Sequence, residues 1–556
     1  MSGTRTAEAE GAGFPGRALR LADPAAALGA LAVVYLAAFL LVPLGLVVVQ
    51  SAQILLAGGL ADLPQFGQRF LVLTRNSLVL AGLVTAVVLA VAVPLSLLLV
   101  KAAPYKPLFQ ALLTIPLLSP PFIGSFAIIL LFGRVGVITQ LLQAAGLPTF
   151  DLYGLPGVAI AHVIHTLPLA VLTLAAGLRT VPRALEESAI SLGGSLVQVC
   201  RRVVLPYMAP YIWMSGLLVF LASFGDVGAP LLVGGNYRVL PVEAYTAFIR
   251  FNVDQRIPIL LGAWMVVISL SLLYLVRRQM RKADIAPAFT GEVFAWASPL
   301  ARRVALVSCA LVSFLVLLPY LAVLIASFGT VWSVGLLPDA FTLRHYQALG
   351  TSLEPLRNSL ILAGTAAPLA VLLSVAIGKA MRDWGRAGAF LDYVTLLPLV
   401  VSGVVLGIGL LHLTGWLRAL GMAVPFLSGP GLLVAAYSIR RLPYPMRVMA
   451  AAYSRIDRRL EEASYSLGAS PARTFWRVTL PQLYPAMAAA LVIAFTRIIT
   501  ELGTTLVVYQ PGWTTIAMQI FAYAQEGLIN RAAAISVLLV AVVAALTALA
   551  GVERRR

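Results

Sequence analysis

Apolar runs of about 20 residues recur from one end of the chain to the other, each long enough to cross a hydrocarbon core of about 30 Å. In lipid such a run can satisfy its own backbone donors and acceptors only as a helix, so the pattern dictates an all-α membrane protein. Composition agrees, with 11% of residues charged against about 25% in ordinary soluble chains, which excludes soluble, fibrous and disordered classes. Twelve runs are predicted to span, at roughly 26–50, 77–100, 108–133, 156–178, 210–234, 257–276, 303–327, 358–378, 389–414, 430–450, 485–508 and 531–552. An even number places both termini on one side. The first run lacks a small-residue cleavage site after a short apolar core and is expected to be retained as a span. Pro94, Pro116, Pro120, Pro121 and Pro398 are expected to kink spans.

The formal net charge of +18 does not point to nucleic acid, because the basic residues are scattered between apolar runs. With the N-terminus in the cytoplasm, 29 of the 40 Lys and Arg fall on the cytoplasmic side and nine in outer loops, so the positive-inside rule favours both termini cytoplasmic. Five parts follow: a tail at 1–25, a six-helix unit at 26–276, a cytoplasmic linker at 277–302, a second six-helix unit at 303–552 and a tail at 553–556. Cys200 and Cys309 are expected to be free thiols.

The two units are copies. RNSLVLAG at 75–82 returns as RNSLILAG at 357–364, a lag of 282. Downstream the lag is 275, pairing Pro168 with Pro443, Glu186-Glu187 with Glu461-Glu462, Gly193 with Gly468, Leu205-Pro206 with Leu480-Pro481 and Pro210 with Pro485. One intervening loop is therefore seven residues shorter in the second copy, and the fold expected is two parallel six-helix repeats.

The most informative segments are polar: EESAISLGGSLVQVCRRVVLP at 186–206 and EEASYSLGASPARTFWRVTLP at 461–481. Each carries a Glu with two small residues, Glu187-Ser188-Ala189 or Glu462-Ala463-Ser464, and Gly193 or Gly468 six positions after the Glu. Val203, Leu205 and Pro206 follow in one copy, Val478, Leu480 and Pro481 in the other. Each loop is predicted to be two short helices about the glycine, with Ser470 capping the second helix, Pro471 at its first position and Leu-Pro closing it.

This pattern resembles the EAA loop of permease subunits of ATP-binding-cassette importers. The resemblance implies a cytoplasmic coupling loop in each half, with Glu187, Ala189, Gly193, Leu205, Pro206, Glu462, Ala463, Gly468, Leu480 and Pro481 engaging two ATP-binding subunits. It further implies an extracytoplasmic substrate-binding protein, a bacterial inner-membrane location, and ATP and Mg used by the partner rather than by this chain. No GxxxxGK[ST] string occurs, so no ATPase and no other catalysis is expected of this polypeptide. FDLYG at 150–154 and GDVGAPLLVGG at 225–235, with the fused two-copy layout, are most similar to ferric-iron importer permeases. Thiamine, 2-aminoethylphosphonate and polyamine permeases of the same family are the alternatives. A twelve-helix secondary transporter is also compatible with two six-span halves. That fold, however, leads one to expect a charged Gly/Asp/Arg-rich loop between spans two and three, where this chain has KAAPYKP.

Ionisable groups at membrane depth are expensive and mark pathways. Asp226 and Glu501 occupy matching positions at the 275 lag, each with a glycine two residues on, and are the candidates to line the route; Arg497, four residues before Glu501, is its candidate partner. His162 and His165 share a helical face but lack a third donor, so no metal site is expected.

Overall fold

The computed structural model describes residues 24–59, 66–250, 254–282, 294–296, 298–330, 338–350, 353–422 and 424–553. Among them ten helices are long and apolar enough to cross a membrane, and an eleventh span forms if the bent pair Arg386–Val400 and Gly403–Ala419 counts as one. The twelfth predicted run, 430–450, is also helical, as Pro430–Arg441 and Pro443–Arg455 joined through a helical Leu442. Arg440, Arg441 and Arg447 make it too polar to read as a plain span.

Several runs are interrupted where the sequence suggested continuous helices. The run at 108–133 tightens into a 3-10 turn at Ile115–Leu118 and restarts as Pro121–Phe132, because Pro116, Pro120 and Pro121 withdraw three backbone donors within six residues. Its counterpart turns by 107° between Val400 and Gly403. Pro94, by contrast, sits within the uninterrupted helix Phe66–Lys101. The runs at 210–234 and 485–508 are displaced: the spanning helices are Leu196–Phe224 and Pro471–Ile499, followed by three-residue breaks and the short helices Gly228–Val233 and Gly503–Val508.

The Leu-Pro pairs do not close the second loop helix as expected. Five-residue π turns, Cys200–Val204 and Phe475–Thr479, lead directly into Leu205-Pro206 and Leu480-Pro481 at the start of the next helix. Proline lacks an N–H and its ring collides with the carbonyl four residues back, and a wide turn ahead of it re-routes that carbonyl so the rod continues. A third π turn, Ala37–Leu41, precedes Pro43 at the same spacing.

The first long helix of each half packs on the other half. Ala27–Leu56 lies against Glu354–Asp383 and Gly403–Ala419, while Pro299–Phe328 lies against Gly67–Lys101 and Pro121–Phe132, so the two units interlock. The expected linker at 277–302 is shorter than its boundaries suggested: helix Arg256–Lys282 runs through its first residues and helix Pro299–Phe328 starts inside it. Its positions 283–293 and 297, like most of the tail at 1–25, lie outside the described residues. The seven-residue difference between the halves falls between Phe132 and Leu155, the first half having two helices, Pro121–Phe132 and Val137–Ala144, where the second has the single helix Gly403–Ala419.

Candidate functional site

Both polar loops fold as helix, glycine, helix. Arg183–Ser191 and Arg458–Ser466 end in Leu192-Gly193 and Leu467-Gly468, with the glycines at φ of +84° and +80°, a left-handed backbone that other residues adopt only at a cost. The next turn is capped alike in both copies: Ser195 Oγ accepts from Gln198 N–H at 3.3 Å, and Ser470 Oγ from Arg473 N–H at 3.3 Å. Leu192 and Leu467, in register at the 275 lag, are each 88% exposed, and Leu185 and Leu460 repeat that match at 47% and 48%. Each loop thus presents a two-leucine apolar knob on a rigid turn.

The predicted acidic residues divide. Glu187 and Glu462 are exposed, Glu187 accepting from Arg183 Nε at 2.6 Å one helical turn back. Ala189 is half-buried, Ala463 exposed. Their neighbours Glu186 and Glu461 are the buried ones. Lys101 Nζ donates to both Glu186 oxygens at 2.6 and 2.8 Å, with the two side chains 0% and 1% exposed. In the second half Arg382 Nη2 lies 3.2 Å from Glu461 Oε2, and Thr479 Oγ1 donates to Oε1 at 2.7 Å. Each loop is therefore tied to the end of the second long helix of its half, and Trp296 N–H from the linker donates to the Lys101 carbonyl at 2.8 Å. Sequence reading missed these anchors because it weighted the second Glu of each pair. Cys200 and Cys309 are both free, the first partly buried and the second buried.

Asp226 and Glu501 lie in the two helix breaks and line one cavity of about 980 Å³ at the interface of the halves. A carboxylate there has an immediate structural use, since the short helix that follows presents unpaired N–H groups. Asp226 Oδ2 accepts from Ala229 N–H at 2.9 Å, and Glu501 Oε1 from Thr504 N–H and Oγ1 at 3.1 Å each. His162 Nε2 lies 3.1 Å from Asp226 Oδ2. Glu501 pairs with Arg441, not with Arg497 as expected; Arg497 instead stands 5.1 Å over the Tyr444 ring. Above the breaks the halves close on each other. Ser402 Oγ donates to the Gly225 carbonyl at 2.9 Å, and a Cβ on Gly228 would come within 3.3 Å of Leu502 Cδ2. Phe122 meets Phe521 edge to face at 6.0 Å.

The same cavity wall carries Arg440, Arg441, Arg447 and Arg497, which the sequence reading had not placed in a pathway. The first three were counted among loop charges. The repeat lag could have exposed them, since it sets Arg440 and Arg497 opposite His165 and Ala222. FDLYG and GDVGAPLLVGG, quoted only for resemblance, also meet: Gly154 N–H donates to the Val233 carbonyl at 2.9 Å.

Two interlocked helical repeats enclosing a largely apolar cavity with charged side chains on its wall, each repeat with an exposed knob fastened to its long helices, define a membrane transport component rather than an enzyme. The chain belongs to the family described as "Binding-protein-dependent transport system inner membrane component", which matches it twice, at residues 82–283 and 293–553. It is 28% identical over 454 residues to a ferric transport system permease protein of Actinobacillus pleuropneumoniae, covering 79% of this chain and 64% of that protein, so it spans under two thirds of that relative's length. A putative 2-aminoethylphosphonate transport system permease protein of Salmonella typhimurium is 33% identical over 230 residues, 40% of this chain and 84% of the relative. The thiamine transport system permease protein of Escherichia coli is 27% identical over 399 residues, 70% and 71% of the two chains. The family and the long apolar helices together make this a multi-pass inner-membrane protein.

Proposed function

We propose that this chain acts as a two-half permease of an ATP-driven importer, passing a solute delivered by an extracytoplasmic binding protein through the central cavity. Two ATP-binding subunits, which use ATP and Mg, receive the loops 183–204 and 458–479 on the cytoplasmic side. The observation that carries this reading is the pair of matched knobs: leucines at the same repeat positions, 88% exposed, on turns held by left-handed glycines and buried ion pairs. Water-exposed leucine is costly to leave uncovered, about 1.5–3 kcal/mol each relative to full burial, and it is repeated here twice over. Removing Arg440, Arg441 and Arg447 from the cytoplasmic tally leaves 26 basic residues against nine outside, which still supports cytoplasmic termini.

Ferric iron is the proposed solute on the name of the first relative, with thiamine, 2-aminoethylphosphonate or polyamine as alternatives within the family. Co-isolation tests the assignment. The wild-type chain is expected to retain an ATPase subunit in detergent, and Leu192→Asp with Leu467→Asp is expected to lower that retention at least tenfold while leaving the monodisperse fold intact. Full retention by the double variant refutes the docking assignment.

A further inference from the structure

The cavity is basic on one side only, and the excess is unpaired. Arg447 lies 3.2 Å from Asp392, and Arg441 is taken by Glu501. Arg440 and Arg497 have no carboxylate within ion-pair distance among the described residues, and Arg440 Nε is buried without a hydrogen-bond partner. Asp226, contributed by the first half, is already committed to His162 and to the Ala229 N–H. Arg497 and Arg441 stand 5.1 and 6.0 Å from the same Tyr444 ring, so three arginines on that wall, Arg440, Arg441 and Arg497, share one carboxylate, Glu501. The matching positions of the first half hold His165 and Ala222, so the repeat itself does not require guanidiniums there. Uncompensated charge at membrane depth is costly and points to a ligand that completes it.

We infer that Arg440 and Arg497 form an oxyanion subsite in the translocation cavity, and that the transported solute presents a phosphonate, phosphate or carboxylate group to it. This rests on the permease reading and narrows its solute. Planar guanidiniums match such groups with paired, charge-assisted hydrogen bonds. A bare trivalent cation meets repulsion on this wall, and among the described residues no group of three or more His, Cys, Asp or Glu gathers to hold one. Iron is admitted only when its own oxyanion ligands face the arginines.

The experiment uses the full chain with its co-isolated ATPase in phosphatidylcholine nanodiscs, titrated with 2-aminoethylphosphonate, inorganic phosphate and ethanolamine. Phosphonate and phosphate are expected to bind and ethanolamine not to, and Arg440→Gln with Arg497→Gln is expected to weaken oxyanion affinity about tenfold or more. Arg440→Lys with Arg497→Lys keeps the charge, guards against a folding defect and is expected to bind with intermediate affinity. Affinity that is equal in wild type and the Gln variant, or no oxyanion binding by wild type, overturns the subsite. Affinity lost when phosphatidylglycerol is added reassigns the arginines to a lipid headgroup and equally overturns a solute role. A complex that keeps its ATPase but ignores every oxyanion defeats the subsite alone, whereas a chain that retains no ATPase defeats the permease reading beneath it.

Discussion

Lys101→Met removes the cation from the buried Lys101–Glu186 pair and leaves a carboxylate enclosed without a partner. Both side chains are essentially sealed from water, 0% and 1% exposed, and both carboxylate oxygens are satisfied by the same ammonium at 2.6 and 2.8 Å. Breaking such a pair costs roughly 3–5 kcal/mol, or roughly two to four orders of magnitude in the equilibrium for opening the loop locally. The surface pair Arg183–Glu187, with side chains 47% and 46% exposed, belongs to a class worth about 0.3–0.5 kcal/mol and provides the contrast. Amide hydrogen exchange across 183–204 reads the opening directly: protection is expected to collapse in Lys101→Met, to stay near wild type in Arg183→Met, and to recover largely in Lys101→Met with Glu186→Leu. The native thiol gives an independent readout: Cys200 is a free, partly buried cysteine on the same loop, so opening is expected to expose it and speed its alkylation in Lys101→Met. Unchanged exchange and unchanged alkylation together would refute the anchoring role of the pair.

Gly468→Val is expected to weaken ATPase retention through backbone strain alone, by about 1–2 kcal/mol, since no atom lies within 4 Å of the added Cβ; retention in detergent against wild type checks it. In thermal unfolding, Arg441→Leu is expected to destabilise strongly and Arg441→Leu with Glu501→Leu to recover most of the loss, whereas Arg497→Leu with Glu501→Leu is expected to show no recovery, because Arg441 is the partner. Single cysteines at Ser470 and Ser428 are expected to react with a membrane-impermeant maleimide from opposite faces, and labelling from one face would overturn the orientation. Asp226→Asn, which leaves the Arg441–Glu501 pair in place, is expected to preserve expression and ATPase binding while lowering transport, and wild-type uptake would remove Asp226 from the pathway.

The repeat, the helix-glycine-helix loops and the position of the two carboxylates were legible because each rests on local chemistry repeated at a fixed lag. Gly193 and Gly468 announce a left-handed turn, and Ser470-Pro471 announces a cap. Where helices break was less legible. Pro94 and Pro168 lie inside continuous helices while the stretches around Pro116 and Pro398 turn, since packing rather than proline alone decides whether a freed carbonyl can be satisfied. The partner of Glu501 was misjudged because i to i+4 spacing assumes an unbroken helix, and the chain leaves helical geometry at Thr500. The basic wall stayed hidden for another reason: Arg440 and Arg441, which close the helix Pro430–Arg441, were tallied with the cytoplasmic charges although they fall inside the predicted run 430–450.

The central claim is that this chain moves solute only when coupled to an ATPase through the two knobs. Reconstitution of the co-isolated complex into liposomes, with the loaded binding protein on one side and ATP on the other, measures it directly. Uptake is expected to require ATP, to vanish in Leu192→Asp with Leu467→Asp, and to be indifferent to a proton gradient. Proton-driven uptake by this chain alone, without ATP or a second subunit, would contradict the account.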